Sequence, residues 1–227
     1  MFSDAFFTLF SVQKAFSFLA PLQTPHHRAD FVERIPEVTT CTDKTATLNR
    51  LQPHHEKAAN LLGFTKTYLC EQIHGAEITL IDHNSPLHTE GVDGLITRED
   101  LLLGIHVADC GAVYLLDPVT KAHGLLHSGK KGTELNITGK AISQMQEHFG
   151  SKPADLIAVL APCIRPPHYE IDFAATIREQ ALSAGVTETN YHDCKLCTAS
   201  NLERFYSYRI EKGNTGRHLA LLGRSSS

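Results

Sequence analysis

Short apolar runs separated by turn-forming residues fill the middle of this 227-residue chain. The runs are YLCEQI, AEITLI, DGLIT, LLLGIHVAD, AVYLLD and AHGLLHS, which begin at Tyr68 and end at Ser128. Runs of this length bounded by Gly, Pro, Asn and Asp are typical of β-strands. LLLGIHVAD and AVYLLD are almost continuously apolar, which indicates strands buried on both faces. We therefore expect sheets that other layers of structure cover.

Helical patterns flank these runs. Residues 53–62 (PHHEKAANLL) predict a helix with Pro53 in its first turn and Gly63 as its stop, whereas residues 24–52 predict loops and short strands. The elements predicted after Ser128 are an amphipathic helix over 133–149, a strand over 155–161, a helix over 172–184 with Asp172 as N-cap and Gly185 after its end, a helix over 199–208 and a strand over 218–222.

Mixed strands and helices of this kind predict an α/β (α+β) fold, a single layered domain of mixed β-sheets flanked by helices. No shift in composition marks a linker, so we predict one domain over residues 1–227. The first 22 residues are rich in Phe and Leu. However, Asp4 stands where a signal peptide carries positive charge, and Gln13 and Lys14 interrupt the apolar run, so we expect an N-terminal strand or helix docked on the core.

Composition narrows the class of protein. The formal net charge is −4 and there are no basic blocks, which argues against a nucleic-acid partner. No apolar run has the length of a membrane span, so we expect no membrane partner. The six cysteines of a chain this long, without a secretory signal, indicate a reduced, cytoplasmic setting in which they are buried, metal-bound or catalytic. The sequence leaves open a monomer or a small homo-oligomer.

Three residues that could bind a soft metal ion lie at the ends of predicted strands or in turns: His74, Cys110 and His127. Two histidines and a cysteine with one open position make a zinc-type catalytic set. With 14 histidines in the chain, other triplets can be chosen, so a buried cysteine and two hydrogen-bonded histidines remain an alternative. The same three residues could also form a cysteine nucleophile with a histidine base. Asp109, next to Cys110, could orient a ligand histidine or simply cap a turn.

An anion site is predicted directly after His127. The segment from Gly129 to Thr133 (GKKGT) offers backbone N–H groups, the ammonium groups of Lys130 and Lys131, and a predicted helix start at Thr133. Its glycine spacing differs from that of a Walker A loop, and a solvated lysine turn is the plain alternative.

Other cysteines and histidines carry weaker signals. Cys163 follows a buried strand, where it could be a nucleophile or a structural cysteine. Cys194 and Cys197 form a lone CxxC, which we interpret as a pair of free structural thiols. The pairs His26-His27 and His54-His55 are expected at the surface.

Taken together, these segments resemble the YfiH/YlmD-like family, also called the laccase-domain, multicopper polyphenol oxidase-like or DUF152 family. The resemblance rests on segments in the family's order: QIHG at 72–75, DGLIT at 93–97, ADC at 108–110, HSGKKGT at 127–133, APCI at 161–164 with YEI at 169–171, CTA at 197–199, FYSYR at 205–209 and TGR at 215–217. It therefore divides the chain into a divergent part over 1–66 and a motif-bearing part over 67–223.

The resemblance implies a metal bound by His74, Cys110 and His127, with zinc expected and copper as the alternative. It also implies purine nucleosides and inorganic phosphate as substrates: phosphorolysis of adenosine, inosine and methylthioadenosine, and deamination of adenosine. We assign catalytic roles to Cys110, His127 and Asp109, and phosphate or substrate binding to Lys130, Lys131, Thr133 and Cys163. The alternatives are a copper-dependent phenol oxidase, a cysteine hydrolase and a non-catalytic metal-binding protein.

Two departures from the family pattern bear on this expectation. Lys130 and Lys131 replace the Trp-Arg of the family's loop, which keeps positive charge but loses a bidentate guanidinium. The N-terminal part retains only Thr47-Leu48-Asn49 of the family's usual glycine-rich segment.

Overall fold

Two mixed β-sheets form the centre of the molecule in a computed structural model that describes residues 17–225. One sheet, sheet A, has the strand order β1-β11-β6-β2-β4, and the other, sheet B, has the order β10-β9-β7-β8-β5-β3. The strands are β1 His27–Val32, β2 Tyr68–Cys70, β3 Ile78–Leu80, β4 His88–Thr89, β5 Gly94–Thr97, β6 Leu102–Val107, β7 Gly111–Leu116, β8 His123–Ser128, β9 Ile157–Leu160, β10 Tyr191–Asp193 and β11 His218–Arg224.

The predicted strands are confirmed. Every apolar run between Tyr68 and Ser128 contains a strand, and β7 and β8 are buried along their whole length, as an apolar strand between two layers requires. Sheet A joins antiparallel pairs (β1 with β11, β11 with β6) to parallel pairs (β6 with β2, β2 with β4), so it is mixed. Of the N-terminal segment over residues 1–22 that we expect to dock on the core, residues 17–22 form a 3-10 helix whose Leu19 and Leu22 are buried in the core between the sheets. Residues 1–16 lie outside the described residues.

The first helix, α1 (Lys44–Leu61), begins nine residues before the predicted start at Pro53. The prediction over 24–52 was therefore wrong for its last part. Asp43 caps the helix, since its side chain accepts a hydrogen bond from the backbone N–H of Ala46. Pro53 lies inside the helix and removes one backbone donor. Burial of the face that carries Leu51, His55 and Ala58 offsets that loss.

The helix predicted over 133–149 is two helices, α2 (Lys130–Glu134) and α3 (Ile137–Phe149). Asn136 separates them because it adopts a left-handed conformation (φ +59°), and its side chain accepts from the N–H of Gly139. The helix α4 (Phe173–Ser183) has the predicted N-cap Asp172, whose carboxylate accepts from Ala175.

The helix predicted over 199–208 is wrong. Only a short 3-10 turn forms, over Thr198–Ser200, and turns follow it. Side chains later in the sequence satisfy two backbone groups here: the N–H of Tyr206 donates to Nε2 of His218, and that of Ser207 donates to the carboxylate of Glu211. Partners of this kind replace helical hydrogen bonds.

Four layers result, in the order α1, sheet A, sheet B, and then α3 with α4. Phe31, Leu103 and Ile105 of sheet A pack with Tyr114 and Leu125 of sheet B in one core. Helices α3 and α4 pack on the other face of sheet B, and α1 covers sheet A. The α/β (α+β) prediction of mixed sheets flanked by helices is thus confirmed. Within residues 17–225, no helix combines the length and apolar character that crossing a bilayer demands.

Two of the histidines that we expected at the surface are buried. His27 packs edge-on against His123, with 5.5 Å between ring centroids, and His55 lies 5.3 Å from His106. All six cysteines are free thiols, as predicted for Cys194 and Cys197.

Candidate metal centre and cleft

The two sheets bring His74, Cys110 and His127 together at the seam between them. His74 follows β2 of sheet A, Cys110 lies where the chain crosses from β6 of sheet A to β7 of sheet B, and His127 is in β8. One ligand atom from each residue lies within 4.8 Å of the others. The rings of His74 and His127 stand edge to face, with centroids 4.9 Å apart. The predicted trio therefore forms one cluster.

The backbone at this cluster is unusual. His74 (φ +62°) and Asp109 (φ +83°) both adopt left-handed conformations that non-glycine residues rarely use. Gln72 (φ +64°) braces the turn, because its side-chain amide exchanges two hydrogen bonds with the backbone N–H and C=O of His106. Backbone strain of this kind persists where surrounding contacts enforce it, and it concentrates at functional sites.

Asp93 orients both histidines of the cluster. Its Oδ1 accepts hydrogen bonds from the ring Nδ1–H of His127 at 2.7 Å and from the backbone N–H of His74 at 2.9 Å. Its Oδ2 accepts from the N–H of Gly75 at 2.6 Å. With Nδ1 of His127 engaged, Nε2 is the ring nitrogen left for a metal ion. We predicted that Asp109 could orient a ligand histidine, but Asp93 holds that position.

Asp109 has a different role. Its carboxylate accepts from the hydroxyl of Thr198 at 2.6 Å and from the backbone N–H of Arg209 at 2.7 Å. It lines the cleft in front of the cluster, but both its oxygens are engaged. Asp109 therefore ties two distant segments to the residue beside Cys110.

Electrostatics favour a thiolate at Cys110. Burial alone would raise the pKa of this thiol, but the charge and hydrogen bonds of His127 and His74 bring it below its ordinary value. Burial would lower the pKa of His127, but Cys110 and Asp93 raise it. Burial would also raise the pKa of Asp93, yet hydrogen bonds from His127, Gly75 and His74 hold it below its usual range. A deprotonated thiol is the form that binds a metal ion.

The segment after β8 packs tightly against the cluster. A Cβ atom at Gly129 would lie 2.7 Å from Sγ of Cys110, and one at Gly132 would lie 2.8 Å from the carbonyl oxygen of Gly75. The helix begins at Lys130 rather than at the predicted Thr133. Thr133 is buried, and its hydroxyl bonds the carbonyl of Gly129 and the hydroxyl of Ser128, both at 2.8 Å. It therefore buttresses the loop from within.

A cleft of about 780 Å³ opens over the cluster. Among its lining residues there are six cations and one acid, Asp109; the cations are Lys44, Lys130, Lys131, Arg209, Lys212 and Arg217. This excess of positive charge attracts anions. Lys130 and Lys131 line this cleft, and their binding of phosphate stays a prediction, whereas Cys163 is fully buried and lies outside the lining.

Several lining residues were missed from the sequence. Lys44 lies at the start of α1, His106 in β6, and Arg217 just before β11. The TGR segment at 215–217 was a signal for Arg217, but only the fold brings it to the cluster. No local pattern pointed to Lys44.

Solved structures share this fold. The crystal structure of YlmD from Geobacillus stearothermophilus superposes with a TM-score of 0.76 at 25% identity, covering 91% of this chain and 94% of that one. The Bacillus licheniformis hypothetical protein YfiH has a TM-score of 0.75 at 22% identity, covering 88% of this chain and 93% of that one.

Curated relatives are named as enzymes of nucleoside metabolism. "Purine nucleoside phosphorylase YlmD" of Geobacillus stearothermophilus is 29% identical over 68% of this chain and 71% of its own length. A Deinococcus radiodurans "Purine nucleoside phosphorylase" is 31% identical over 67% of this chain and 68% of its own length. The mouse "Purine nucleoside phosphorylase LACC1" is 26% identical over 76% of this chain, but that match spans only 47% of the mouse protein.

The profile of one protein family matches most of the chain. It is described as "Multi-copper polyphenol oxidoreductase laccase", and it matches residues 39–174 and 167–225. The matched ranges include all three residues of the candidate metal cluster and the cations of the cleft. By sequence and by fold, this chain belongs to the laccase-domain (YfiH/DUF152) family.

Proposed function

We propose that the protein is a zinc-dependent purine nucleoside phosphorylase. The observation that carries this proposal is the position of the His74–Cys110–His127 cluster at the base of a cleft that cations line. The names of the curated relatives point to the same activity. Adenosine, inosine and methylthioadenosine are the proposed nucleosides, and adenosine deamination is a proposed second activity of the same cleft.

Zinc fits the donor set. Two imidazoles and one thiolate leave a fourth position open, as in catalytic zinc sites, and a carboxylate behind a ligand histidine is the usual second layer of support. A multicopper centre needs several histidine-rich clusters. Residues 17–225 provide one cluster of three or more ligands, which supports zinc over copper. When bound there, zinc supplies Lewis-acid chemistry at its open position.

Arg217 is the best candidate for the guanidinium that the loop lacks. It lines the cleft and is half-buried, and its Nη1 donates to the carbonyl of Gly216 at 2.8 Å. Among the ion pairs of residues 17–225, none involves Arg217, whereas Arg209 is paired with Glu170. An arginine fork without a carboxylate partner can hold phosphate bidentately. Lys130 and Lys131 add charge from the loop.

The proposed reaction needs these cations. An oxygen of inorganic phosphate attacks C1′ of the ribose, the bond from C1′ to the base nitrogen breaks, and the base nitrogen takes the proton that phosphate gives up. Adenosine and phosphate then yield adenine and ribose 1-phosphate. Fixed positive charges that hold phosphate against C1′ contribute by positioning and by offsetting its negative charge.

The direct test is turnover by purified, zinc-loaded protein. Adenosine with inorganic phosphate is expected to give adenine and ribose 1-phosphate in equal amounts, and phosphate omission abolishes both products. Inosine formation without phosphate measures the deaminase activity separately. If zinc-loaded protein that is folded by circular dichroism turns over neither adenosine nor inosine nor methylthioadenosine, the proposal fails.

A cysteine hydrolase is the second candidate, because one further feature favours it. Cys110, His127 and Asp93 stand in the order of a nucleophile, a base and the carboxylate that orients the base. Metal-free protein that forms a covalent adduct on Cys110 with an acyl substrate would support this reading. Zinc at one ion per chain, with loss of turnover on chelation, would support the phosphorylase instead.

The cellular setting remains a proposal. We place the protein in the cytoplasm, which the six free thiols support because a reducing compartment preserves them.

A further inference from the structure

Aromatic side chains form part of the same cleft and have no role in binding metal or phosphate. Tyr169, Phe173 and Tyr208 all line it, together with the apolar Ile164. A cleft that served only a metal ion and inorganic phosphate would have no need of flat apolar surface. These rings therefore indicate a second, flat part of the ligand.

Tyr169 is held firmly in place. Its ring packs edge-on against Phe173, with centroids 5.9 Å apart and an interplanar angle of 76°. Phe173 is buried at the first residue of α4, the helix that Asp172 caps. The guanidinium of Arg209 lies 5.4 Å from the centroid of the Tyr169 ring. A stacking surface needs this rigidity, since a fixed ring loses little entropy when a ligand binds.

Tyr208 is an exposed ring at the edge of the cleft. It is 55% exposed, and the guanidinium of Arg217 lies 5.6 Å from its ring centroid. Gly213 (φ +84°) closes the turn beneath it, where an added Cβ would lie 3.4 Å from the Tyr208 ring. An exposed tyrosine that lines a cleft and is backed by a turn offers a ring face to a ligand.

Both rings are linked to the metal cluster. The backbone N–H of Arg209, the residue after Tyr208, donates to the carboxylate of Asp109, which precedes Cys110. Arg217 lies 5.6 Å from the centroid of the Tyr208 ring and lines the same cleft as the loop lysines. A ligand that lies on these rings is therefore beside the cluster and the proposed phosphate site.

We propose that Tyr169 and Tyr208, together with the guanidinium group of Arg209, form the subsite for the nucleobase, next to Arg217 of the proposed phosphate site. This inference rests on the proposed phosphorylase function and makes it more specific. Stacking on rings and guanidinium planes accepts any base but favours the larger surface of a two-ring purine. It follows that selectivity for purine over pyrimidine nucleosides comes from these tyrosines, and not from the metal cluster.

The test separates binding of the base from binding of phosphate. Tyr169→Leu and Tyr208→Leu are each expected to raise the KM for inosine about tenfold or more, because each variant loses one stacked ring. The KM for phosphate should stay within about twofold of the wild-type value. Tyr169→Phe and Tyr208→Phe keep the ring and should keep the nucleoside KM. Leu87→Ala, an exposed apolar side chain outside this cleft, is the matched control.

Calorimetry with adenine on zinc-loaded protein distinguishes failure of this inference from failure of the proposed function. If turnover is absent but adenine binds and each leucine variant weakens its binding about tenfold, the subsite stands while the phosphorylase does not. Leucine variants that fold, retain zinc and bind adenine as tightly as the wild type overturn the subsite. Equal rises in the KM values for nucleoside and phosphate also overturn it, because they indicate a general distortion of the cleft.

Discussion

Asp93 and His127 form a buried pair at the candidate metal cluster: the ring Nδ1–H of His127 donates to Oδ1 of Asp93 at 2.7 Å, and Asp93 is fully buried. The same carboxylate accepts the backbone N–H groups of His74 and Gly75. One side chain thus holds the ring of one candidate ligand, His127, and the backbone of the other, His74.

Asp93→Asn is expected to weaken zinc binding by about 10- to 100-fold, the usual effect of removing such a supporting carboxylate. An asparagine would also point its NH₂ group at one or more of the three N–H groups that now donate hydrogen bonds to Asp93. Competition with a chelating indicator measures the affinity.

Asp82→Asn is the matched control, because Asp82 accepts only local turn hydrogen bonds from Asn84 and Ser85 at the surface. If Asp93→Asn binds zinc as tightly as Asp82→Asn does, Asp93 does not support the cluster.

Cys110→Ser is expected to abolish stoichiometric zinc, since a serine hydroxyl is neither anionic nor soft at neutral pH. Elemental analysis of purified protein measures the content per chain. Cys41→Ser removes a thiol outside the cluster and should leave one zinc bound. Full zinc occupancy in Cys110→Ser would exclude Cys110 as a ligand.

Gly129→Ala tests the packing of the loop on the cluster without changing a ligand. The new Cβ would lie 2.7 Å from Sγ of Cys110, so either the sulfur or the loop must move. We expect weaker zinc binding and little loss of stability in the metal-free protein. Gly91→Ala, at a position with no atom within 4 Å but with φ +72°, controls for backbone effects. A zinc affinity that equals the wild type would show that the contact is easily relieved.

Arg217→Ala should raise the KM for phosphate about 10- to 100-fold, the effect of losing a charge-assisted hydrogen bond. The KM of Arg217→Lys for phosphate should lie between those of the wild type and Arg217→Ala, since an ammonium group keeps the charge but not the two parallel donors of a guanidinium. Steady-state kinetics at varied phosphate and saturating inosine give these values. A KM for phosphate that stays at the wild-type value in both variants would place the phosphate elsewhere in the cleft.

Stability is expected to fall in mild acid because His123 is buried as the neutral form. Burial, with a smaller contribution from the charge of His27, lowers the pKa of His123 from 6.5 to about 3. Between those values the unfolded chain binds the proton and the folded chain does not, so acid favours unfolding. Lowering the pH from 7 to 5 should reduce the free energy of unfolding by about 2 kcal/mol through this residue alone.

Urea unfolding at pH 7 and at pH 5 measures the effect. The difference between the two free energies of unfolding should be smaller in His123→Phe than in the wild type, whatever the stability of the variant at pH 7. His26, an exposed histidine, gives the control His26→Phe, which should retain the full pH dependence. An unchanged difference in His123→Phe would mean that other groups cause the acid sensitivity.

Local patterns predicted the sheets well because the information is local there: a run such as LLLGIHV can satisfy its apolar side chains only between two layers. They failed for α1 because Pro53 is a common start signal, whereas the true start depends on the cap at Asp43. They failed over 199–208 because the N–H groups of Tyr206 and Ser207 donate to the side chains of His218 and Glu211 and not to helical carbonyls, and an apolar pattern does not reveal such partners.

The candidate site was partly predictable for the same reason. Motif order pointed to His74, Cys110 and His127, and the structure brings them together. Asp93 could have been suspected, since an aspartate directly before a buried strand needs a partner. Lys44 and Arg217 reach the cleft from opposite ends of the sequence, so only the tertiary fold identifies them.

The position of the candidate ligands at the seam between the sheets has a consequence for the stability of the fold. An ion held from β2, the β6–β7 crossover and β8 would fasten the two halves of the sandwich to each other, and binding to the folded form alone adds to its stability. A variant that bound the ion but turned over no substrate would keep this stabilisation. The three side chains would therefore contribute to the stability of the ion-bound fold whether or not the cleft is active.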